Sequence, residues 1–259
     1  MYKLGLKVWS SNLFYISLAD GLYNDGVFDY VELYVVPGSD KSCSQKWRQA
    51  KFPFILHAPH SSDGFNLSLK ECEAKNRILI KEVDSFREVL SPRYVIFHPG
   101  TNGSIRETIR QISMFRHEFA ELFNLAVVEN KPKIGINGEE CIGVSPEEIK
   151  ELLNETGLGF CLDVGHAICY AAWKRTEYES VIEQFIKLKP KMFHLMDGDV
   201  NSKTDVHLNF GKGNFKLKEI LSKIPPDAYI SVETNKKSKS NLNDFEEDVG
   251  YLRTCLQKI

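Results

Sequence analysis

Short apolar runs recur along this chain at a steady interval, and a polar residue closes most of them. The runs cover residues 4–8, 30–36, 54–57, 94–98, 125–129, 159–163, 191–195 and 228–233. Most are continuous rather than alternating, the pattern of a parallel strand covered on both faces. Between them lie amphipathic segments with helical spacing at 13–22, 67–90, 105–123, 146–153, 178–188, 215–221 and 245–256. The second crossover, around 44–50, is short and poor in helical pattern. Ser145-Pro146-Glu147-Glu148 predicts a sharp helix start, with a capping hydroxyl, a first-turn proline and acids against the positive end of the dipole. Eight strand–helix units follow without a linker, a low-complexity tract or a shift in composition. The economical reading is one α/β domain over residues 1–259, closed as a (β/α)8 TIM barrel. A doubly wound open sheet is the alternative, but it leaves unexplained why polar residues gather at strand C-termini.

In a closed barrel those ends converge on one mouth, so residues far apart in sequence become neighbours. Six of the seven histidines (57, 60, 98, 166, 194, 207) lie at or just beyond predicted strand ends, and only His117 falls within a predicted helix. Glu129, Asp163 and Glu233 belong to the same rim. Asp163 and His166 stand three residues apart where the sixth strand is expected to give way to a loop. A carboxylate and an imidazole at that spacing suit a divalent cation. One such histidine is ordinarily a hydrogen-bonded structural residue, yet repetition at strand after strand points to a metal site at the C-terminal mouth. Mixed imidazole and carboxylate ligands suit Zn²⁺, with Mn²⁺ or Fe²⁺ also compatible.

Length, charge and cysteine usage narrow the class. At 259 residues and 42% hydrophobic content the chain can bury one large core. A formal net charge of −2 gives no global attraction to nucleic acid or to an anionic membrane, so a basic footprint has to be local. The first residues enter an apolar strand directly, and no run has membrane length. Cysteines 43, 72, 141, 161, 169 and 255 form no C-x-x-C pair, as expected of reduced thiols in a cytoplasmic protein.

Seven short motifs carry a resemblance. They are Ala58-Pro-His60 followed by Asn66-Leu67, Phe97-His98-Pro99-Gly100, Val128-Glu129-Asn130, Leu162-Asp163-x-x-His166-Ala167, Phe193-His194-Leu195, Asp205-Val-His207 with Gly211-x-Gly213, and Val232-Glu233-Thr-Asn235. Together they resemble the xylose isomerase-like barrel superfamily, and within it the endonuclease IV branch (apurinic/apyrimidinic endonuclease family 2), which acts in DNA repair by cutting at abasic sites. The resemblance implies a trinuclear site with all nine ligand positions filled. His60, His98 and Glu129 would hold one metal. Glu129 would bridge to a second, held also by Asp163, His194 and Glu233, and His166, Asp205 and His207 would hold the third. On this reading the chain takes roughly two to three divalent ions, with zinc the first expectation. Glu129 and Glu233 are then the candidate catalytic residues. Three divalent ions would outweigh four ligand carboxylates, which suits a phosphodiester and a metal-bound hydroxide attacking in line. One ion among Glu129, Asp163, His194 and Glu233 would suit instead a sugar or sugar-phosphate isomerase or epimerase.

Around this core the pattern departs from the endonuclease branch. That branch inserts an arginine from the loop after strand two and a tyrosine–leucine pair after its first metal histidine. Here those segments read Val36-Pro37-Gly38-Ser39-Asp40 and Ser61-Ser62-Asp63-Gly64-Phe65, leaving Phe65 as the one candidate wedge. Lys131, Lys133, Lys203 and Lys236 are candidate substrate contacts for an anion, and Lys212, Lys237 and Lys239 lie in the same loops. Glu32 and His57 are candidates to orient metal-bound histidines. Trp47 and Trp173 offer faces for a sugar or base, although packing accounts for either.

Overall fold

The computed structural model describes residues 2–39 and 41–256. Its eight strands close into a parallel barrel in sequence order. They are β1 (Lys3–Trp9), β2 (Tyr30–Tyr34), β3 (Phe54–His57), β4 (Val95–Phe97), β5 (Ala126–Glu129), β6 (Gly159–Asp163), β7 (Met192–Leu195) and β8 (Tyr229–Val232). The helices outside them are α1 (Ile16–Asn24), α2 (Lys41–Trp47), α3 (Glu73–Leu90), α4 (Ile105–Glu118), α5 (Ala120–Phe123), α6 (Pro146–Thr156), α7 (Val164–Lys174), α8 (Tyr178–Ile186), α9 (Leu217–Lys223) and α10 (Asn243–Leu256). Outward strand residues such as Leu6, Val31, Leu33 and Val128 join one large core with the helices. Inward residues form a second, separate cluster of Tyr30, Ile55, Ile96, Val127, Cys161 and Met192, sealed below by Tyr94 and Tyr229.

The pleat repeats every two residues, so two positions beyond that plug the same inward face appears again. There every strand, or the residue just after it, carries a charged or imidazole side chain: Lys7, Glu32, His57, His98, Glu129, Asp163, His194 and Glu233. The registers Lys7↔Glu32 and Asp163↔His194 set neighbours in this ring side by side. An apolar plug thus carries a polar ring at the C-terminal mouth.

Several element boundaries differ from the sequence pattern for identifiable reasons. β2 stops at Tyr34 because the Val36 N–H donates to Ser10 Oγ instead of a sheet partner. α3 starts at Glu73, not at residue 67. The preceding stretch is held by Asn66, whose Oδ1 accepts from the N–H groups of Ser68 and Thr101. The helix expected over 105–123 is broken at Phe119, whose backbone leaves the helical region at φ −127°, ψ 51°. α7 replaces the loop expected after β6. Val164 through Ala171 are all buried, so the segment is apolar on every side and shows no amphipathic period. His166 consequently sits just beyond the strand end, as expected, but in the first turn of a helix instead of a loop.

Gly5 marks how tightly the plug is built. A Cβ there would lie 2.3 Å from the Tyr30 ring, which is fully buried and bonds Ser231 Oγ at 3.0 Å through its hydroxyl. Gly5→Ala should therefore destabilise the barrel by about 1–3 kcal/mol through overpacking. Urea unfolding measures it, and a change below about 0.5 kcal/mol would mean that Tyr30 has room to yield.

Candidate metal centre

Glu129 stands at the middle of the ring. Its Oε2 lies 3.1 Å from His98 Nε2, 3.2 Å from His57 Nε2 and 3.3 Å from His194 Nδ1, and its Oε1 lies 3.1 Å from His166 Nδ1. Asp163 Oδ2 is 3.8 Å from His194 Nδ1. Glu233 Oε1 approaches that same nitrogen to 2.7 Å. Asp205 Oδ2 lies between His166 Nε2 at 3.3 Å and His207 Nε2 at 2.6 Å. His60 stacks on His98 with centroids 4.6 Å apart. All nine side chains expected as ligands meet at one mouth. His57 stands among them, grouped with His60 and His98.

Local structure aims each side chain. The Asp163 carboxylate accepts from the His166 N–H at 2.6 Å, capping α7 and fixing the imidazole in its first turn. Asn130 ties the same turn down, its Nδ2 donating to the Asp163 carbonyl at 2.9 Å. Asp197 accepts from the N–H groups of Gly211, Gly213 and Phe215 and so shapes the loop that presents Asp205 and His207. Gly213 is needed there, since a Cβ would fall 2.2 Å from the Gly198 carbonyl.

Hydrogen bonds also set which ring nitrogen faces inward. A carbonyl only accepts, so His166 Nδ1 donates to the Asn130 carbonyl at 2.8 Å and His207 Nδ1 to the Glu233 carbonyl at 2.7 Å. In each ring Nε2 is then the nitrogen turned toward Asp205. His194 is reversed. Its Nε2 donates to Glu32 at 2.9 Å, which turns Nδ1 toward Glu129, Asp163 and Glu233. His57 Nδ1 donates to the Ala58 carbonyl at 2.7 Å.

Buried polar atoms are normally bonded, and exceptions call for an explanation. His60 Nε2, His98 Nε2, His194 Nδ1 and Asp163 Oδ2 are buried without a hydrogen-bond partner. His98 Nε2 is close to Glu129 but is not aimed to bond it. Lone pairs converging without donors are what a divalent cation would satisfy, so this residue set fits a metal. Burial and neighbouring imidazoles hold His60 well below the ordinary histidine range, and burial does the same for His98, leaving both neutral. Burial also opposes charge on His166, but the Asp163 carboxylate beside it wins and pushes its pKa up to about 10.

The anion contacts expected from sequence divide. Lys131 and Lys236 line a mouth cavity of about 530 Å³ together with Trp9, Ile136 and His60. Burial lowers the Lys236 pKa to about 8. Lys133 instead pairs with Glu140 and lies 5.5 Å over the Trp173 ring. Lys203, Lys212, Lys237 and Lys239 are exposed and do not line the cavity. Phe65 is no wedge, being 1% exposed and packed 6.0 Å from Phe97. Trp47 is fully buried, its indole N–H donating to the Ser10 carbonyl at 2.8 Å. After β2, residues 36–39 carry no arginine, and Asp40 lies outside the described residues.

Two inward residues of β1 went unread in the sequence. Lys7 reaches Glu32 Oε1 at 3.0 Å and makes a close ion pair with Glu233. Burial opposes its charge, yet the Glu233 and Glu32 carboxylates hold its pKa well above the usual lysine value. Trp9, half-exposed at the strand end, forms one lip of the cavity. Their phase with Gly5 was the available signal.

Residues 25–255 match the family model of the xylose isomerase-like TIM barrel. The chain belongs to this family. A Thermoplasma volcanium protein named "Probable endonuclease 4" is 26% identical over 208 residues, spanning 76% of this chain and 72% of its own. Among solved structures, a D-tagatose 3-epimerase-like protein aligns with a TM-score of 0.73 at 20% identity, covering 99% of this chain and 97% of its own. Endonuclease IV from Thermus thermophilus aligns at 0.67 and 18%, covering 99% and 100%. At such identities these two likenesses are of fold. The sequence relative thus carries an endonuclease name, and the fold neighbours carry both endonuclease and epimerase-like names.

Because Glu129 touches the most candidate ligands, Glu129→Gln should weaken more than one bound ion, by about 10–100-fold each. His207→Asn should weaken one. Metal titration of both variants checks this, and loss of the same single ion by both would contradict the grouping.

Proposed function

We propose that this protein is a metal-dependent phosphodiester hydrolase of the endonuclease IV type. One observation carries the reading: His60 with His98, and Asp205 with His166 and His207, converge on the Glu129 group, which extends the ligand set well beyond what one ion needs. An isomerase working with one ion would need only Glu129, Asp163, His194 and Glu233. Divalent ions held by the nine side chains would supply Lewis acidity and a nucleophile near neutral pH, with zinc the first choice for this donor set. Glu129 and Glu233 are the proposed catalytic residues. Glu32 orients His194, and the Asn130 and Glu233 carbonyls orient His166 and His207. Lys131 and Lys236 face the cavity, where a phosphate beside the ions would find them.

The substrate is a small phosphodiester or an already unpaired abasic site in preference to intact damaged duplex. Opening a duplex needs an unstacking side chain. Phe65 is sealed in the core and Asp63 is bonded to the Tyr34 hydroxyl, so neither serves. No helix among the described residues is long and apolar enough to cross a membrane.

A sugar or sugar-phosphate isomerase or epimerase is the second reading. The closeness of both Glu129 and Glu233 to His194 favours it, because such a pair can pass a proton between the two faces of a substrate. Metal-loaded protein should cleave an abasic-site strand more slowly in duplex than in single-stranded form. Cleavage should fall as salt rises, and Glu233→Gln should lose about a hundredfold or more. Exchange of a sugar's α-proton with deuterium, without any phosphodiester cleavage, would replace this reading with the second.

A further inference from the structure

Lys7 differs from every other lysine around the cavity. Lys131 and Lys236 stand in the wall, the latter donating to the Thr234 carbonyl at 3.2 Å. Lys7 projects from β1 into the ring of candidate ligands, with its side chain 16% exposed. Its ammonium contacts Glu32 Oε1 at 3.0 Å and Glu233 Oε1. That Glu233 oxygen is the one 2.7 Å from His194 Nδ1, the atom pair a metal would share. A fixed cation therefore already occupies one side of a position where a divalent ion would bind.

Charge points the same way. Five carboxylates (Glu32, Glu129, Asp163, Asp205 and Glu233) crowd this mouth, each within 4.0 Å of a ring histidine. Lys131 and Lys236 in the wall only add positive charge. Set against these five carboxylates, Lys7 leaves four negative charges, which two divalent ions neutralise. A third would leave a surplus of two in a poorly solvated pocket and would meet the ammonium on a shared carboxylate.

We infer that Lys7 is a resident cation of the ring: it supplies on Glu32 and Glu233 the charge a further ion would bring, so the chain loads two divalent ions firmly and a third only weakly. The inference rests on the metal-dependent reading above and names the part of one residue within it. Lys7 acts through Glu233, as a positioning residue.

Elemental analysis after zinc loading and desalting, with competitive chelator titration, reads the outcome without any turnover assay. Wild type should retain two ions. Lys7→Met should retain three, with the last bound at least about tenfold more tightly than in wild type. Lys7→Arg should stay at two, and Lys7→Gln serves if the methionine variant fails to fold. Three ions firmly held by wild type, or a neutral variant matching wild type at every affinity, would overturn the inference. The wild-type count decides the matter even if no neutral variant folds. Wild type binding no ion at all would instead remove the metal-dependent function itself, so the two failures are distinguishable.

Discussion

Five carboxylates lie close together at the mouth of this barrel, and the surrounding structure is organised by the need to hold that charge out of water. Isolated ionised groups in such a place would be strongly destabilising. Here each faces imidazole nitrogens, an ammonium or backbone N–H groups. Glu32 lies between Lys7 and His194, Asp205 between His166 and His207, and Glu129 among four histidines. The arrangement depends on the apolar plug two residues below. The plug keeps the barrel closed and fixes the phase in which every strand presents its next inward side chain.

That phase explains how much was legible beforehand. All eight strands, with His98, Glu129, Asp163, His194 and Glu233 at their ends, stand out because continuous apolar runs end in polar residues at one edge, while the full set of nine candidate ligands rests on the motif resemblance. The illegible parts have physical reasons. α7 is buried all round from Val164 to Ala171, so it shows no period, and His166 reads as a loop residue. The start of α3 is displaced by side-chain bonds to Asn66, which leave no trace in hydrophobic spacing. Lys7 sits inside an apolar run, where one lysine reads as a solvent-facing position. Only closure of β1 against β8 brings it to Glu233. Phe65 is the opposite case, since a large apolar residue in a polar loop invites a surface role and is core instead.

Family membership and the polar ring constrain function to different degrees. Fold neighbours of this chain carry both epimerase-like and endonuclease names on one backbone plan, so the fold is neutral between them. Discrimination lies in how many side chains are recruited around the Glu129 group and in what guards the entrance. Here recruitment is extensive, while the entrance offers Trp9, Ile136 and lysines around a cavity of modest size.

Asp163 holds two offices at once. One oxygen closes the buried first turn of α7, and the other is left bare toward the imidazoles. A helix cap and a candidate metal contact are therefore written into the same carboxylate. A descendant that gave up the reaction would be free to discard His60 or His207, yet it would still need a short acceptor at position 163. Substitution of the other candidate ligands would leave an aspartate, asparagine or serine standing at 163 in an otherwise dismantled mouth, a fossil kept by the helix.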